Sequence, residues 1–268
     1  MIPLKDNVAA DRFPLVTLAL IVANFVAYIL AIRHGGSFIS GPSQAEVIRY
    51  GAIPFAVTHP GVHCAEVVRH TLSGTTAPQI LCNTRLLNAN HIPAENLLPS
   101  WQTIFTGMFM HASILHIAGN MLFLWIFGNN VEDALGRVKY LAFYLVGGIA
   151  ALALQVVVAP NSTAPTLGAS GAIAAVLGAY IVLYPKARVL TLVIIIFFFT
   201  VIEIPAWIML GLWFALQAAY GAAGLTNPTG AGGGVAYFAH IGGFVFGFLL
   251  IRLLMKPRSP TPPPSPVY

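Results

Sequence analysis

Charged side chains are scarce in this chain. Lys and Arg number 13 and Asp and Glu 8 in 268 residues, so 8% of the sequence is charged, against about 25% in a typical soluble domain. Apolar residues make up 57%, and the mean hydropathy is +0.81. So few charges cannot cover a water-soluble surface, and so much apolar content excludes a disordered chain. The scarcity specifies an integral membrane protein. The formal charge of +5 does not indicate a nucleic-acid partner, because Lys and Arg form no run or patch; it fits basic loops on one side of a bilayer. Two cysteines are too few for a disulfide framework. The alternating pattern of a membrane β-barrel is missing, so the expected spans are helices. No internal repeat is visible, which argues against an inverted-repeat transporter.

What the chain does have is long apolar runs. A helix needs about 20 mostly apolar residues to cross the hydrocarbon core. Six stretches qualify, at about 13–32, 113–133, 139–159, 168–184, 198–222 and 235–255. The fifth is overlong, because its apolar run starts at Val189; its first part is expected along the interface. The first is too long for a signal peptide and lacks a small-x-small cleavage site before Arg33-His34, so it is read as retained. With the N-terminus inside, the inner segments carry Lys5, Arg12, Arg137, Lys139, Lys186, Arg188, Arg252, Lys256 and Arg258. The longer outer segments carry Arg33, Arg49, Arg69 and Arg85. This bias predicts both termini on the cytoplasmic side. The expected architecture is an all-α, six-helix transmembrane domain over 1–255 in the cell membrane. It has a long outer loop at about 34–112 and a disordered Pro-rich tail at 256–268, whose alternative reading is a polyproline ligand for a cytoplasmic partner.

Carboxylates are nearly absent from the spans. Asp6, Asp11 and Asp133 lie outside mid-span positions, Glu46, Glu66 and Glu95 fall in the outer loop, and Glu132 sits at an inner helix end. Glu203 alone falls near the start of a span, where a capping or interfacial role is favoured over a catalytic one. An intramembrane aspartyl protease needs two facing carboxylates, and a membrane zinc protease needs His-Glu-x-x-His; neither is present. A voltage sensor or proton relay would need a chain of ionisable groups. The expectation is no metal and no cofactor; a metal site at His63 and His70 fits no established ligand spacing.

Serine, histidine and asparagine remain. Gly168-Ala169-Ser170-Gly171 opens the fourth span, where flanking glycines permit close approach and helix N–H groups favour developing negative charge. The alternative is packing: Ser170, Ala174 and Gly178 recur at i, i+4 and i+8 as a small-residue stripe. His240 lies in the first turns of the sixth span, followed by Gly243 and Gly247. It is either a general base or a hydrogen-bonded packing residue. His116 and Asn120 are four apart, so they share one face of the second span. Spans two, four and six run in the same direction, which puts Ser170, His240 and His116 at matching depth and Asn120 one turn deeper. Matching depth in three helices favours a site over separate packing accidents.

Taken together, these residues resemble the rhomboid family of intramembrane serine proteases. The likeness rests on Gly168-Ala169-Ser170-Gly171, on Ala239-His240 with Gly243 and Gly247, on His116-Ile-Ala-Gly-Asn120, and on Glu132, Gly136 and Tyr140; it covers about 100–255. It implies cleavage of transmembrane or membrane-adjacent segments of membrane proteins by a Ser–His dyad. The nucleophile falls on Ser170, the base on His240, and the oxyanion hole on His116, Asn120 and the Ser170 N–H. It also implies membrane-protein substrates with helix-destabilised segments. Water must reach a site in the first turns of its helices, which calls for a polar cavity open to the extracytoplasmic side, with the fifth span and the glycine-rich 221–234 loop as its expected gate. Two positions depart from the family pattern. Ser100-Trp101-Gln102-Thr103 lacks the Arg of a Trp-Arg pair that anchors the outer loop. Ala174 stands where some members place a Tyr that stacks on the base, which leaves open what orients His240. The competing reading is a catalytically inactive protein that binds transmembrane helices. Outside these motifs, His111 either lines the cavity or packs the loop. A disulfide between Cys64 and Cys82 would constrain their loop by about 3 kcal/mol.

Overall fold

Among the described residues, five helices are long and apolar enough to cross a membrane, and a sixth apolar helix is shorter. The structure, a computed structural model, describes residues 2–70, 76–195, 198–226 and 235–255. The tail expected at 256–268 and most of the glycine-rich 221–234 segment lie outside the described residues. The membrane helices are α1 (Leu15–Ile32), α2 (Ile114–Leu135), α3 (Arg137–Val158), α4 (Ser170–Leu183), α5 (Ala206–Thr226) and α6 (Tyr237–Leu254). A π-helical turn at Leu124–Gly128 interrupts α2. Gly136, at φ +77°, separates α2 from α3 in a conformation that favours glycine.

Helix α4 is the centre of the bundle. Every residue from Gly171 to Tyr180 is buried, and α4 packs most extensively on α6 and α3. Its contact with α6 uses small residues: a side chain at Gly243 or Gly247 would run into the backbone oxygens of Gly171 and Ala175. The small-residue stripe of α4 therefore does pack, with Ala174 and Gly178 against α6. At fourteen residues, α4 is about 21 Å long, less than the ~30 Å hydrocarbon thickness.

The fifth span is a correction. Residues 198–205, expected as its first two turns, form a strand, and the helix starts at Ala206. Strands β1 (Ile2–Asp6), β4 (Arg188–Ile195) and β5 (Phe198–Pro205) make an antiparallel sheet in the order β1-β4-β5. The run Arg188–Pro205 is dense in Val, Ile, Thr and Phe, whose branched and aromatic side chains suit a pleated surface. Pro205 is the last residue of β5, directly before α5 begins at Ala206. Hydropathy alone cannot separate such a hairpin from a helix. Glu203 is thereby removed from the membrane helices; it is half-exposed and 3.5 Å from Arg188, a pair that contributes little.

The sheet end of the bundle is built around two carboxylates. Asp6 accepts hydrogen bonds from the Tyr180 hydroxyl at 2.5 Å and from Asn130 Nδ2 at 2.6 Å, which docks β1 against α4 and α2. Burial raises the Asp6 pKa above its ordinary value despite these bonds. Glu132, 3% exposed, accepts from the Val16 N–H at 3.0 Å, and from the Thr17 N–H and hydroxyl at 2.7 and 2.8 Å. These N–H groups lie in the first turn of α1, where the helix offers no partner and Pro14 supplies no side-chain cap. A carboxylate there also meets the positive end of the helix dipole.

At the other end the long loop folds over the bundle. It contains short helices (Gln44–Tyr50, Pro54–Thr58, Thr84–Ala89 and Ser100–Thr106) and the hairpin β2 (Cys64–His70) with β3 (Thr76–Cys82). Cys64 and Cys82 are paired positions in that hairpin and form a disulfide, surrounded by Ile48, Ile53 and Ala56. Without the Arg of the family pattern, hydroxyls tie down the helix that carries Trp101. Ser100 Oγ donates to the Ala56 carbonyl at 2.8 Å and Thr106 Oγ1 to the Tyr50 carbonyl at 2.7 Å.

Candidate active site

The segment leading into α4 is held at three points. Thr166 exchanges backbone hydrogen bonds with Ala52, at 3.0 and 2.8 Å, and the Gly168 N–H donates to the Gly107 carbonyl at 2.8 Å. The Ala169 N–H donates to His111 Nε2 at 3.5 Å, while His111 Nδ1 bonds the Phe109 carbonyl at 3.3 Å. A carbonyl only accepts, so Nδ1 carries the proton and Nε2 is bare. Burial, aided by nearby His116, pushes the His111 pKa down to about 3, which keeps the ring neutral for this role. His111, fully buried, is thus a support of the loop before α4.

Gly168 has φ +113°, and a side chain on it would come within 2.9 Å of His116 Nε2. Only glycine meets both demands. Ser170 then begins α4, and Ala169 offers no side-chain cap. The first N–H groups of the helix are therefore left for another acceptor.

The structure brings Ser170 and His240, seventy residues apart, into direct contact: Ser170 Oγ donates to His240 Nε2 at 2.8 Å. The other ring nitrogen, Nδ1, donates to Gln217 Oε1 on α5, also at 2.8 Å. Trp213, one turn earlier on α5, lies 5.8 Å from the imidazole between ring centres. Gln155 on α3 accepts from the Ala239 N–H at 3.3 Å, in the first turn of α6. Ala174 is fully buried against α6, so the site has no room for a stacking Tyr there.

His116 and Asn120 face the same place from α2. The Ala112 N–H donates to His116 Nδ1 at 3.3 Å, which leaves the His116 proton on Nε2. Asn120 is 8% exposed, and its Nδ2 has no hydrogen-bond partner among the described residues. A buried amide donor without an acceptor is costly and calls for a reason. Both donors border a cavity of about 520 Å³, also lined by Ser170, His240, Gly119 and Trp213. No Asp or Glu is among the lining residues. Chemically, the arrangement offers a hydroxyl bonded to an imidazole, with free donors beside it.

The sequence did not single out Gln217 or Trp213, because neither lies near a motif residue on its own helix; both meet His240 from another element. A signal existed: in α5, Gln217 is the sole amide or charged side chain in 21 residues, and such a group inside a span needs a partner.

Residues 99–257 match the rhomboid domain. The presenilin-associated rhomboid-like protein, mitochondrial, of Bos taurus is 33% identical over 179 residues, which are 63% of this chain and 42% of that protein. Rhomboid protein 1, mitochondrial, of Saccharomyces cerevisiae is 30% identical over 171 residues, 62% of this chain and 45% of its own. Rhomboid-like protein 11, chloroplastic, of Arabidopsis thaliana is 30% identical over 164 residues, 59% of this chain and 54% of its own. The chain thus matches about half the length of these relatives. Their names place them in mitochondria and chloroplasts, so the likeness lends no support to the cell membrane as the location expected from sequence; what stands is a multi-pass membrane protein. The rhomboid match covers more than half of the sequence and contains all four candidate site residues, and the chain belongs to the rhomboid family.

Proposed function

We propose that this protein is an intramembrane serine endopeptidase that cleaves transmembrane or membrane-adjacent segments of membrane proteins. The observation that carries the reading is the 2.8 Å Ser170–His240 hydrogen bond beside the unpaired Asn120 donor. Ser170 Oγ attacks the scissile carbonyl as its proton passes to His240 Nε2. The carbonyl oxygen gains negative charge and is met by Asn120 Nδ2, His116 Nε2–H and the Ser170 N–H. A preformed donor of this kind lowers the barrier by about 2.7–4 kcal/mol. The imidazolium then protonates the leaving amine, and the C–N bond breaks. Water adds to the acyl-Ser170 ester with His240 as base, which releases the new carboxyl end and restores the hydroxyl.

A peptide reaches the Ser170 carbonyl-attack position only in extended form, because a helix keeps its carbonyls in intrachain bonds. Substrates are therefore segments whose helix is weakened near the cut. Under the charge-bias topology the site faces the side of the bilayer opposite both termini, and it lies at the end of α4 away from the β1-β4-β5 sheet.

The test is cleavage of a transmembrane substrate panel by the protein in vesicles, alongside labelling by a serine-directed fluorophosphonate. Label on Ser170, lost in Ser170→Ala together with cleavage, is the expected result. A folded protein that neither labels nor cleaves would overturn the proposal in favour of an inactive helix-binding protein.

A further inference from the structure

The geometry points to Gln217 as a positioning residue: its amide oxygen fixes the tautomer and ring orientation of His240 from a third helix. This inference rests on the proteolytic reading above and deepens it. A neutral imidazole carries one N–H, so a ring that accepts the Ser170 proton at Nε2 must hold its own proton on Nδ1. Gln217 Oε1 only accepts, and it sits 2.8 Å from Nδ1. It therefore selects the tautomer with Nε2 bare, and Ser170 Oγ stands 2.8 Å from that atom. The three side chains form a continuous line, with an amide in the place where soluble serine hydrolases put a carboxylate.

An amide suits this location better than a carboxylate. A carboxylate inside an apolar bundle carries a heavy desolvation cost, whereas a glutamine orients the ring with no buried charge. Trp213 completes the hold. It lies four residues before Gln217, on the same face of α5, with its ring 5.8 Å from His240 and 6.1 Å from Phe244. The Ala174 position cannot supply a ring, because it is buried beneath α6. Helix α5 supplies both the ring and the acceptor. Gln217 could alternatively serve as a simple hydrogen-bonded contact between α5 and α6, which would affect helix association but leave the tautomer alone.

Two variants separate these roles. Gln217→Met keeps length and removes the acceptor; Gln217→Glu keeps an acceptor oxygen at the same reach. In the full chain reconstituted in vesicles, Gln217→Met should lower kcat by roughly 10–100-fold with KM little changed, an effect typical of losing a group that orients a catalytic side chain. Gln217→Glu should recover most of it. Nitrogen-15 NMR of the His240 ring should show the proton on Nδ1 in the parent protein and a mixture of tautomers in Gln217→Met. The inference is overturned if the parent ring is protonated on Nε2, or if Gln217→Met keeps the parent tautomer and kcat. It is also overturned if activity falls only in proportion to the folded fraction. The NMR reading does not depend on turnover, so a parent protein that fails to cleave overturns the proteolytic reading while the tautomer still decides the role of Gln217.

Discussion

The two ends of the bundle treat buried polarity in opposite ways. At the sheet end, Asp6 and Glu132 are deeply buried carboxylates, and each accepts several hydrogen bonds from other elements. At the loop end no carboxylate is among the described residues that line the cavity, and Asn120 presents a buried donor with no partner among them. Among the described residues, Asn24, Asn130, Tyr140 and Tyr144 also carry a buried side-chain oxygen without a well-formed hydrogen bond, although the Tyr140 hydroxyl faces Thr17 and the Tyr144 hydroxyl faces Asn24. Asn120 thus has the one unpaired atom that can only donate. The contrast teaches that this chain spends its charge on holding helices together and leaves neutral donors free where chemistry is proposed.

Mutations at the two ends should separate accordingly. The largest effect is expected for Ser170→Ala, with cleavage reduced roughly 10⁴–10⁶-fold and an unchanged thermal midpoint, measured on one vesicle preparation. Asn120→Ala should lower kcat by about 10²–10³-fold without loss of stability, because the orphaned donor disappears. A clear drop in midpoint would break the contrast by making Asn120 structural. Glu132→Ala should do the reverse: a loss of roughly 2–4 kcal/mol in unfolding free energy, with kcat per folded molecule preserved. Denaturant titration followed by active-site counting checks both halves.

The smallest effect concerns pH. Asp6 has a folded pKa raised above its ordinary value of 3.8, so the folded state binds its proton more tightly than the unfolded state. Its contribution to stability is therefore complete below about pH 3.8 and is lost as pH rises through the raised value. Asp6→Asn should flatten that part of the midpoint-against-pH curve. An unchanged slope would mean that the Tyr180 and Asn130 bonds offset burial in full.

Much of the site was legible because membranes make polar residues conspicuous. Ser170, His116, Asn120 and His240 stood out against apolar surroundings; the shared direction of their helices put Ser170, His116 and His240 at one depth and Asn120 one turn deeper, and all four line one cavity. Gln217 was equally conspicuous but stands in no local motif: Asn120 shares a helix face with His116, whereas the partner of Gln217 is His240 on another helix. The β1-β4-β5 sheet was hidden for a different reason. Thr191 and Glu203 interrupt an apolar run no more than a helix would tolerate, and hydropathy carries no information on the pairing of Leu190 with Glu203. Strand partners far apart in sequence, such as Ile2 and Leu192, leave no local periodicity to detect.

The short α4 has a consequence for the lipid as well as for the site. A fourteen-residue helix facing the bilayer would thin it, since acyl chains adjust to the length of the protein they touch. Here the helix is ringed by its neighbours, and the longer α1, α3, α5 and α6 present full-length walls outward. The missing length becomes a well inside the protein rather than a dent in the membrane. The place of Ser170 relative to the neighbouring helices is then set by the packing of α4 and not by contact of α4 with lipid.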